Sequence, residues 1–263
     1  MNRRGFLGLS AALTGAAILG RSSRVLAAAR PVTEREFCLV LDPGHGGENE
    51  GCLAHDGQVR EKAVTLALAE QLAVRVVALI PSARVLLTRD TDETLHLASR
   101  VGFANACNAD LFVSLHCNAS PLANQTGFET YLLDLAASNR EAALTAQREN
   151  DEGFARPTGE DDEVAAMVRE LGMTQSRRNA AWFADAIHRE YADRFPDRPD
   201  RGVLQGPFDV LMGARMPAVL HEVGFLDHAE EGPTLRSSAG QKQIVEGLAQ
   251  AVLGYFNEVV RRS

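Results

Sequence analysis

The sequence predicts a single α/β domain built on a largely parallel, twisted sheet with helices on both of its faces. Short apolar runs alternate along the chain with longer stretches in which apolar residues recur at three- and four-residue spacing. The first pattern is typical of buried strands, and the second is typical of amphipathic helices. Strands separated by helices form parallel units in which the helices cover both faces of the sheet. No internal repeat and no linker interrupts this alternation.

The predicted elements follow one another from residue 37 onward. Phe37–Leu41 is apolar and ends at the turn residues Asp42-Pro43-Gly44, so it is predicted as a buried strand. Glu61–Ile80 has a continuous helical pattern, which Pro81 ends. The other predicted elements are strands at Arg84–Thr88, Leu111–Leu115, Phe128–Leu133, Val210–Met212 and Ala218–Leu220, and helices at Leu95–Ala106, Ala180–Tyr191 and Gln241–Val259.

The first 29 residues have the composition of an export signal. Arg3 and Arg4 precede a weakly apolar stretch, and small residues at 27–29 form a cleavage site. The paired arginines favour the twin-arginine route, and the apolar stretch is shorter than the ~20 residues that a membrane span needs. We therefore predict a signal peptide at residues 1–29, a periplasmic or exported location, and no membrane span after processing.

Charge and cysteine content restrict the partners and sites of the chain. Its 263 residues carry a net charge of −8, and loss of residues 1–29, which contain four arginines and no acid, lowers the charge to about −12. Because no basic patch is visible, nucleic acid is not expected as a partner. No CxxC pair exists, so no cysteine zinc site is predicted. Free thiols are expected at all four cysteines, which are Cys38, Cys52, Cys107 and Cys117.

Three residues with metal-binding or acid–base side chains follow predicted strands. His45 comes after the first strand in LDPGHGG, His116 ends the third in VSLHCNAS, and Glu222 ends the last in PAVLHEVGF. Ligands bind beyond the carboxyl ends of strands in open α/β sheets, so these side chains are expected to converge. Glu61 opens the helix after the first strand and can face the same edge. Two imidazoles and one carboxylate are a recurring zinc set, and a second carboxylate can take a proton from water; position alone leaves the metal and the substrate open.

Four separated blocks of the chain resemble the zinc-dependent N-acetylmuramoyl-L-alanine amidases, a cell-wall hydrolase family that includes daughter-cell-separation enzymes. The blocks stand in the family's order: LDPGHGGENEG followed by VREK, then LLTRDTDETLHLASRVGFANACNADLFVSLHCNAS, then GFETYLL, and finally MPAVLHEVGFLDH. The resemblance implies a catalytic domain at residues 34–261. It also implies hydrolysis of the amide bond between the lactyl group of N-acetylmuramic acid and L-alanine in peptidoglycan, in wall remodelling or cell separation.

The same resemblance implies the roles of four residues. Carried over position by position, the ligands of one Zn²⁺ are His45, Glu61 and His116, and the catalytic glutamate is Glu222. All four residue types are retained in this chain. A departure occurs at His221, where an aliphatic residue is expected. Strand alternation turns His221 away from the face of Glu222, so it is predicted as a core histidine.

Other polar residues are predicted to have supporting roles. Asp42 is a candidate support for His45, because ligand imidazoles usually donate their second N–H to an oxygen. Structural ion pairs that set the loop after the second strand are predicted for Arg89, Asp90, Asp92 and Arg100. Surface positions are predicted for His55, His96 and His188.

A polar stretch at about 138–172 departs from the alternating pattern. It contains the acidic clusters ENDE and EDDE and is too long for an ordinary connection. It is either a solvated excursion or a functional insertion over the site. Some members of the resembled family carry a helix here that covers the active site until a protein activator removes it. In this chain Asp161–Leu171 would be that helix, with an acidic residue such as Glu163 reaching the zinc.

Two other functions stay open at this point. A zinc peptidase or carboxypeptidase acting on the stem peptide would use the same metal set. A non-catalytic wall-binding scaffold would need only the fold, although the retention of Glu222 and of all three ligands argues against it. The preferred stem peptide and the glycan length are not specified by any motif.

Overall fold

The computed structural model describes residues 36–120, 122–151 and 175–261, which contain six strands and six α-helices. The strands β1 to β6 are Phe37–Pro43, Ala83–Leu87, Leu111–Asn118, Phe128–Leu133, Asp200–Gly206 and Ala218–Phe225. The helices α1 to α6 are Glu61–Leu79, Leu97–Ala106, Arg140–Glu149, Gln175–Arg194, Glu231–Arg236 and Ser238–Tyr255. A 3₁₀ turn at Asp209–Leu211 and a π-type turn at Phe256–Val260 complete the list.

All six strands belong to one sheet, whose spatial order is β2-β1-β3-β6-β4-β5. Every neighbouring pair is parallel except β4 and β6, which are antiparallel. The predicted α/β class with a largely parallel sheet is therefore confirmed. The topology also brings the carboxyl ends of β1, β3 and β6 to one edge, because these three strands lie side by side and run in the same direction.

The sheet has an apolar core on each face. Side chains alternate along a strand, so Leu39 packs into one core and its neighbour Val40 packs into the other. The first core lies under α1, α4 and α6, and the second lies under α2, α3 and the 3₁₀ turn. Burial of each large apolar side chain contributes about 1.5–3 kcal/mol. The two cores thus hold the sheet as a scaffold whose edge can present polar groups.

Two predicted elements differ from the observed fold. Val210–Met212 was predicted as a strand, but its apolar residues lie in and after the 3₁₀ turn, where Val210 and Leu211 are buried beneath α2. A short apolar run does not distinguish a strand from another buried segment. The edge strand β5, in contrast, was not predicted, because DRGVLQG is polar and largely half-exposed.

Some predictions fall on residues outside the described ranges. These are the signal peptide at 1–29 and the covering helix at Asp161–Leu171 with Glu163, which therefore stay predictions. Among the helices of the described residues, none has both the length and the apolar character needed to cross a membrane.

Candidate metal centre and active site

Four side chains at the carboxyl edge of the sheet form a compact buried cluster. His45 follows β1, Glu61 is the first residue of α1, and His116 lies near the end of β3. The fourth member is Glu149, the last residue of α3. One ligand atom from each of the four lies within 4.8 Å of every other, and all four residues are buried. The three predicted ligands therefore lie together, and the structure adds a carboxylate that the sequence motifs do not indicate.

The contacts within the cluster join each imidazole to both carboxylates. His45 Nε2 lies 3.1 Å from Glu61 Oε2 and 3.3 Å from Glu149 Oε2. His116 Nδ1 lies 3.3 Å from Glu61 Oε1 and 2.9 Å from Glu149 Oε2. The two ring nitrogens and Glu149 Oε2 have no hydrogen-bond partner of conventional geometry in the described structure. Since unsatisfied buried polar atoms are rare, they indicate a ligand shared by the four groups.

Glycines allow the groups of the cluster to approach one another. A Cβ atom on Gly44 would lie 2.5 Å from the ring of His116, and one on Gly51 would lie 2.6 Å from both Glu61 and His45. His45 itself has a φ of +61°, which is uncommon for a residue with a side chain. Such backbone strain is held by the surrounding structure and occurs often at functional sites.

Two buried arginines hold the loop that carries His45. Arg89 donates from Nε to the carbonyl of Pro43 and from Nη2 to the carbonyl of Gly44, both at 2.9 Å. Arg100 donates from Nη2 to the carbonyl of His45 at 2.7 Å. Both arginines thus position the loop after β1. Of the residues predicted to form ion pairs, Arg100 pairs with Asp42 and Asp92 pairs with Lys62. Arg89 instead donates to backbone carbonyls, among them that of Thr91 in the loop after β2.

Asn49, and not Asp42, is the support of the His45 ring. The Nδ1 atom of His45 lies 2.8 Å from Oδ1 of Asn49, which suits donation by the imidazole and leaves Nε2 free to face the cluster. Asp42 instead accepts from Arg100 at 2.9 Å and from Ser114 at 2.7 Å. The prediction for Asp42 was wrong because its carboxylate is taken up by Ser114, its register partner on β3, and by Thr88 after β2.

We expect Asp42→Ala to lower the free energy of unfolding by about 3–5 kcal/mol, because it leaves the buried guanidinium of Arg100 without its counter-ion. Burial opposes ionisation of Asp42, but the charge of Arg100 and the hydrogen bonds hold its pKa below the ordinary 3.8. Its contribution is therefore present above that pH and is lost as the pH falls through the lowered pKa. Urea unfolding at neutral pH measures the change. Glu246→Ala breaks a partly exposed pair with Arg75 and should cost below about 1 kcal/mol; equal losses for the two variants would contradict the role given to Asp42.

The electrostatics of the cluster favour ionised carboxylates. Burial acts against a charge on His116, but Glu149 and Glu61 outweigh it and raise the pKa of His116 to about 9. Burial likewise acts against the charge of Glu61, whose pKa is nevertheless lowered by the charge of His45 and by the close contacts of its carboxylate with both imidazoles. The carboxylate of Glu61 also accepts backbone N–H bonds from Cys117 and Cys52, at 2.8 and 2.9 Å. The recess is thus built to hold two negative charges beside two basic nitrogens.

Glu222 lies beside the cluster on the neighbouring strand. It is the register partner of His116 across β3 and β6, so the two side chains share a face. Glu222 is fully buried, and neither of its carboxylate oxygens has a hydrogen-bond partner among the described residues. Burial, and after it the charge of Glu149, raises the pKa of Glu222 well above its ordinary value. A buried carboxyl group with a raised pKa, beside imidazoles that could hold a metal ion, is suited to proton transfer.

Arg148 is one residue by which helix α3 contacts the cleft, the region at the carboxyl ends of β3 and β6 where the cluster and Glu222 lie. Arg148 donates to the carbonyl of Ala119 at 2.9 Å, to Oδ1 of Asn118 at 2.8 Å and to Oε1 of Glu149 at 2.9 Å. Its guanidinium also lies 3.8 Å from Glu222. Arg148 therefore compensates part of the negative charge and orients the carboxylate of Glu149 toward the imidazoles.

Four other histidines for which the sequence predicts a position lie outside the cluster. His221 is fully buried and bonds Thr130 at 2.9 Å, and burial lowers its pKa well below the ordinary value. This confirms it as a neutral core residue outside the cluster. His55 is exposed and His96 is partly buried. The surface prediction was wrong for His188, which is buried and bonded to Asp200 and Thr130.

The four cysteines are all free, as predicted. Cys38 and Cys117 are buried, while Cys52 and Cys107 are partly buried. Burial raises the pKa of the Cys117 thiol well above its ordinary value, and the charges of Glu61 and Glu222 add to the effect. The thiol beside His116 is thus neutral and is not a member of the cluster.

Taken together, the fold and the site define an α/β protein with a candidate metal centre at the carboxyl edge of its sheet, an arrangement used by metal-dependent hydrolases. Residues 39–253 match the family described as N-acetylmuramoyl-L-alanine amidase. The chain therefore belongs to the N-acetylmuramoyl-L-alanine amidase family, and the family predicted from its motifs is confirmed.

Individual relatives agree with this family. The amidase AmiC of Neisseria meningitidis is 30% identical over 231 residues, a match that covers 86% of this chain and 54% of AmiC. The chain thus spans about half the length of that relative. AmiA of Escherichia coli is also 30% identical, over 83% of this chain and 76% of AmiA. Among solved structures, the catalytic domain of CwlV from Paenibacillus polymyxa superposes with a TM-score of 0.64 at 28% identity, covering 84% of this chain and 98% of that domain.

Proposed function

We propose that this chain is a zinc-dependent amidase that hydrolyses the bond between the lactyl group of N-acetylmuramic acid and L-alanine in peptidoglycan. The observation that carries the proposal is the juxtaposition of a buried His-Glu-His set with Glu222 on the next strand. Membership of a family described by that reaction supports the substrate.

The donor set fits a zinc ion. Tetrahedral ligands about 2.0–2.1 Å from zinc lie roughly 3.3–3.4 Å from one another, and the imidazole–carboxylate separations here are 2.9–3.3 Å. Two imidazoles with carboxylates suit zinc better than magnesium or calcium, which prefer oxygen ligands alone. His45, Glu61 and His116 would hold the ion, and Asn49 would orient the ring of His45.

The proposed chemistry divides between the metal and Glu222. Zinc supplies a Lewis acid that polarises the scissile carbonyl and lowers the pKa of a water molecule. Glu222 accepts the proton of the attacking water and delivers it to the departing amine of L-alanine. Its burial excludes bulk water from this exchange and raises the pKa of the carboxyl group, which favours proton uptake from the water.

The position of Glu149 indicates that this structure is a covered form of the enzyme, in which activity is blocked. Its carboxylate contacts both imidazoles and so takes the position that a water molecule needs in a catalytic zinc site. We therefore interpret α3 as a covering helix, and the polar segment at about 138–172 as a functional insertion. A protein activator would act by drawing α3 away from Asn118 and Ala119. This role falls on Glu149 of α3 and is independent of Glu163.

Product analysis tests the proposed reaction. The purified protein is incubated with peptidoglycan, and the new ends are identified by mass spectrometry, with Glu222→Ala as the control. Stem peptides with a free L-alanine amine, released by wild type and absent with Glu222→Ala, are the expected result. New ends between amino acids would move the protein to the peptidases. If neither wild type nor Glu149→Ala releases any peptide, the amidase proposal is wrong.

Removal of zinc is expected to abolish turnover and to lower the melting temperature, since a ligand that binds only the folded state stabilises it by about 2.7 kcal/mol at 100 times its Kd. Zinc should restore activity, and magnesium should not. Metal analysis gives a second readout: His116→Ala should lose the bound zinc, whereas the exposed His55→Ala should keep it. Full activity of the metal-free protein would contradict this prediction.

The location of the chain follows from the same function. Peptidoglycan lies outside the cytoplasm, so we propose that residues 1–29 direct export, by the twin-arginine route that their paired arginines favour. Transport of a folded protein suits a chain whose four thiols are all free.

A further inference from the structure

Arg201 is aimed by a bulge in the edge strand β5. Phe128 of β4 is opposite Asp200, but Thr130 is opposite Val203, so Arg201 and Gly202 together face one residue, Glu129. Gly202 adopts a φ of +88°, which accommodates the extra residue. Bulges next to active sites often redirect a side chain. Here the bulge allows Nε of Arg201 to donate to Glu129 Oε2 at 2.8 Å.

Glu129 connects Arg201 to the site. It is the register partner of Glu222 across β4 and β6, so both carboxyl groups share the face that also carries His116. Glu129 is buried and also accepts from the hydroxyl of Tyr131 at 2.7 Å and from the amide of Asn118. Arg201 is the outermost member of this network, with 20% of its side chain exposed. A guanidinium thus lies at the rim of the cleft, on the side of Glu222 away from the metal ligands.

The position of Arg201 matches the dimensions of a stem peptide. β5 is two strands from β6, and neighbouring strands are about 4.8 Å apart, so Arg201 lies about 10 Å from the strand of Glu222. An extended chain covers about 3.3–3.6 Å per residue. If the first amide of a peptide is at Glu222, two extended residues cover about 7 Å. The carboxyl group of the second residue then extends far enough to reach the guanidinium of Arg201.

Helix α3 places a carboxylate at this same position. Nη2 of Arg201 donates to Glu141 Oε2 at 2.8 Å. Glu141 lies in the first turn of α3, and Glu149 ends the helix eight residues later, about 12 Å further on. One covering helix thus presents a carboxylate to Arg201 and a second carboxylate to the imidazole cluster.

We propose that Arg201 binds the free α-carboxylate of the second stem residue, D-glutamate, and that Glu141 occupies this position while α3 covers the cleft. The inference rests on the proposed amidase function and adds a specificity-determining residue to it. The fork of an arginine can keep one N–H on Glu129 and offer its outer N–H groups to a planar carboxylate. Because the γ-carboxyl of D-glutamate forms the peptide bond of the stem, its α-carboxylate is the anion closest to L-alanine.

The test uses muramyl tripeptides that differ only at the second residue, which is D-glutamate in one and D-isoglutamine in the other. We expect wild type to favour D-glutamate by about 10- to 100-fold in kcat/KM, the size of a charge-assisted hydrogen bond. Arg201→Gln should remove the preference, mainly through KM, and Arg201→Lys should keep part of it. A third substrate has D-glutamate at its second residue and is amidated only at its terminal carboxylate. Its kcat/KM should equal that of the unmodified D-glutamate substrate. If its kcat/KM is as low as that of the D-isoglutamine substrate, Arg201 binds the end of the stem and the proposal is overturned.

Two further variants complete the experiment, one at Glu141 and one at an ion pair far from Arg201. Glu141→Gln should lower KM for the D-glutamate substrate alone and should have no effect in the Arg201→Gln protein. Arg75→Gln breaks a similar surface pair on α1 and α6 and should leave the preference unchanged. Thermal melting checks that Arg201→Gln is folded, since Asn118 and Tyr131 still bond Glu129.

Failure of the role of Arg201 and failure of the proposed amidase function give different results. Equal rates for both substrates with wild type, or an unchanged ratio with Arg201→Gln, would overturn the role of Arg201 and leave the amidase intact. If neither wild type nor Glu149→Ala cleaves any of the three substrates, the proposed function fails and the inference fails with it.

Discussion

Replacing Glu222 with glutamine is expected to lower kcat by about 10²- to 10⁴-fold, the usual contribution of a general acid–base group. The amide has the same shape but cannot accept the proton of the attacking water. Stability should not fall, because neither carboxylate oxygen of Glu222 has a hydrogen-bond partner to lose among the described residues, and burial opposes the charge that the substitution removes. Steady-state kinetics on a soluble muramyl peptide measure the effect.

Two controls make this result specific to Glu222. Bound zinc should stay at the wild-type level in Glu222→Gln, since Glu222 is not a member of the imidazole cluster. Glu246→Gln, on the far helix α6, should leave kcat unchanged. If kcat of Glu222→Gln falls by less than tenfold, Glu222 is not the proton acceptor. The next candidate is then Glu129, its register partner.

Replacing Glu149 with alanine is expected to raise the rate of peptidoglycan hydrolysis by about 10- to 100-fold in the absence of any activator. A charge-assisted contact of about 1.5–3 kcal/mol is removed, and every 1.4 kcal/mol shifts the ratio of open to covered protein tenfold. The apparent affinity for substrate rises with the open fraction. The charge of Glu149 also raises the pKa of Glu222, so its removal makes Glu222 a more available base at neutral pH.

The control for Glu149→Ala is Glu190→Gln, which breaks a pair with Arg194 on α4. It should not change the rate. If Glu149→Ala is no faster than wild type, the cleft is already open in solution, and α3 does not regulate the enzyme. A decrease accompanied by loss of zinc would instead make Glu149 a permanent fourth ligand.

The fold was largely predictable because burial repeats a simple pattern. The central strands β1 and β3 are buried on both faces of the sheet. Such strands appear in the sequence as continuous apolar runs, so they can be predicted without tertiary information. The convergence of His45, His116 and Glu222 followed from the same rule, since parallel strands present their carboxyl ends at one edge. The chemical roles of these residues stay predictions, which zinc analysis and the kinetics of Glu222→Gln test.

The parts that the sequence did not predict depend on contacts between distant segments. Glu149 lies in a polar stretch without a recognisable spacing, and its carboxylate meets the cluster only because α3 folds back over the cleft. The prediction gave the role of Asn49 to Asp42 because both residues are close to His45 in sequence. Asp42 lies within β1 and bonds Ser114 on the next strand, whereas Asn49 lies after His45 and contacts its ring. Strand β5 and Arg201 were missed because a polar edge strand lacks the apolar run that marks a central one.

The pairing of β3 with β6 has a consequence for how this chain can vary in length. His116 and Glu222 face each other across one ladder, and His221 points to the opposite core. A one-residue insertion or deletion within β6 would turn Glu222 into the apolar core and bring an imidazole into the cleft. Length changes in the segment after β4 shift no register. We therefore expect that homologues differ in size at that segment, and that strands β3 and β6 keep a constant number of residues.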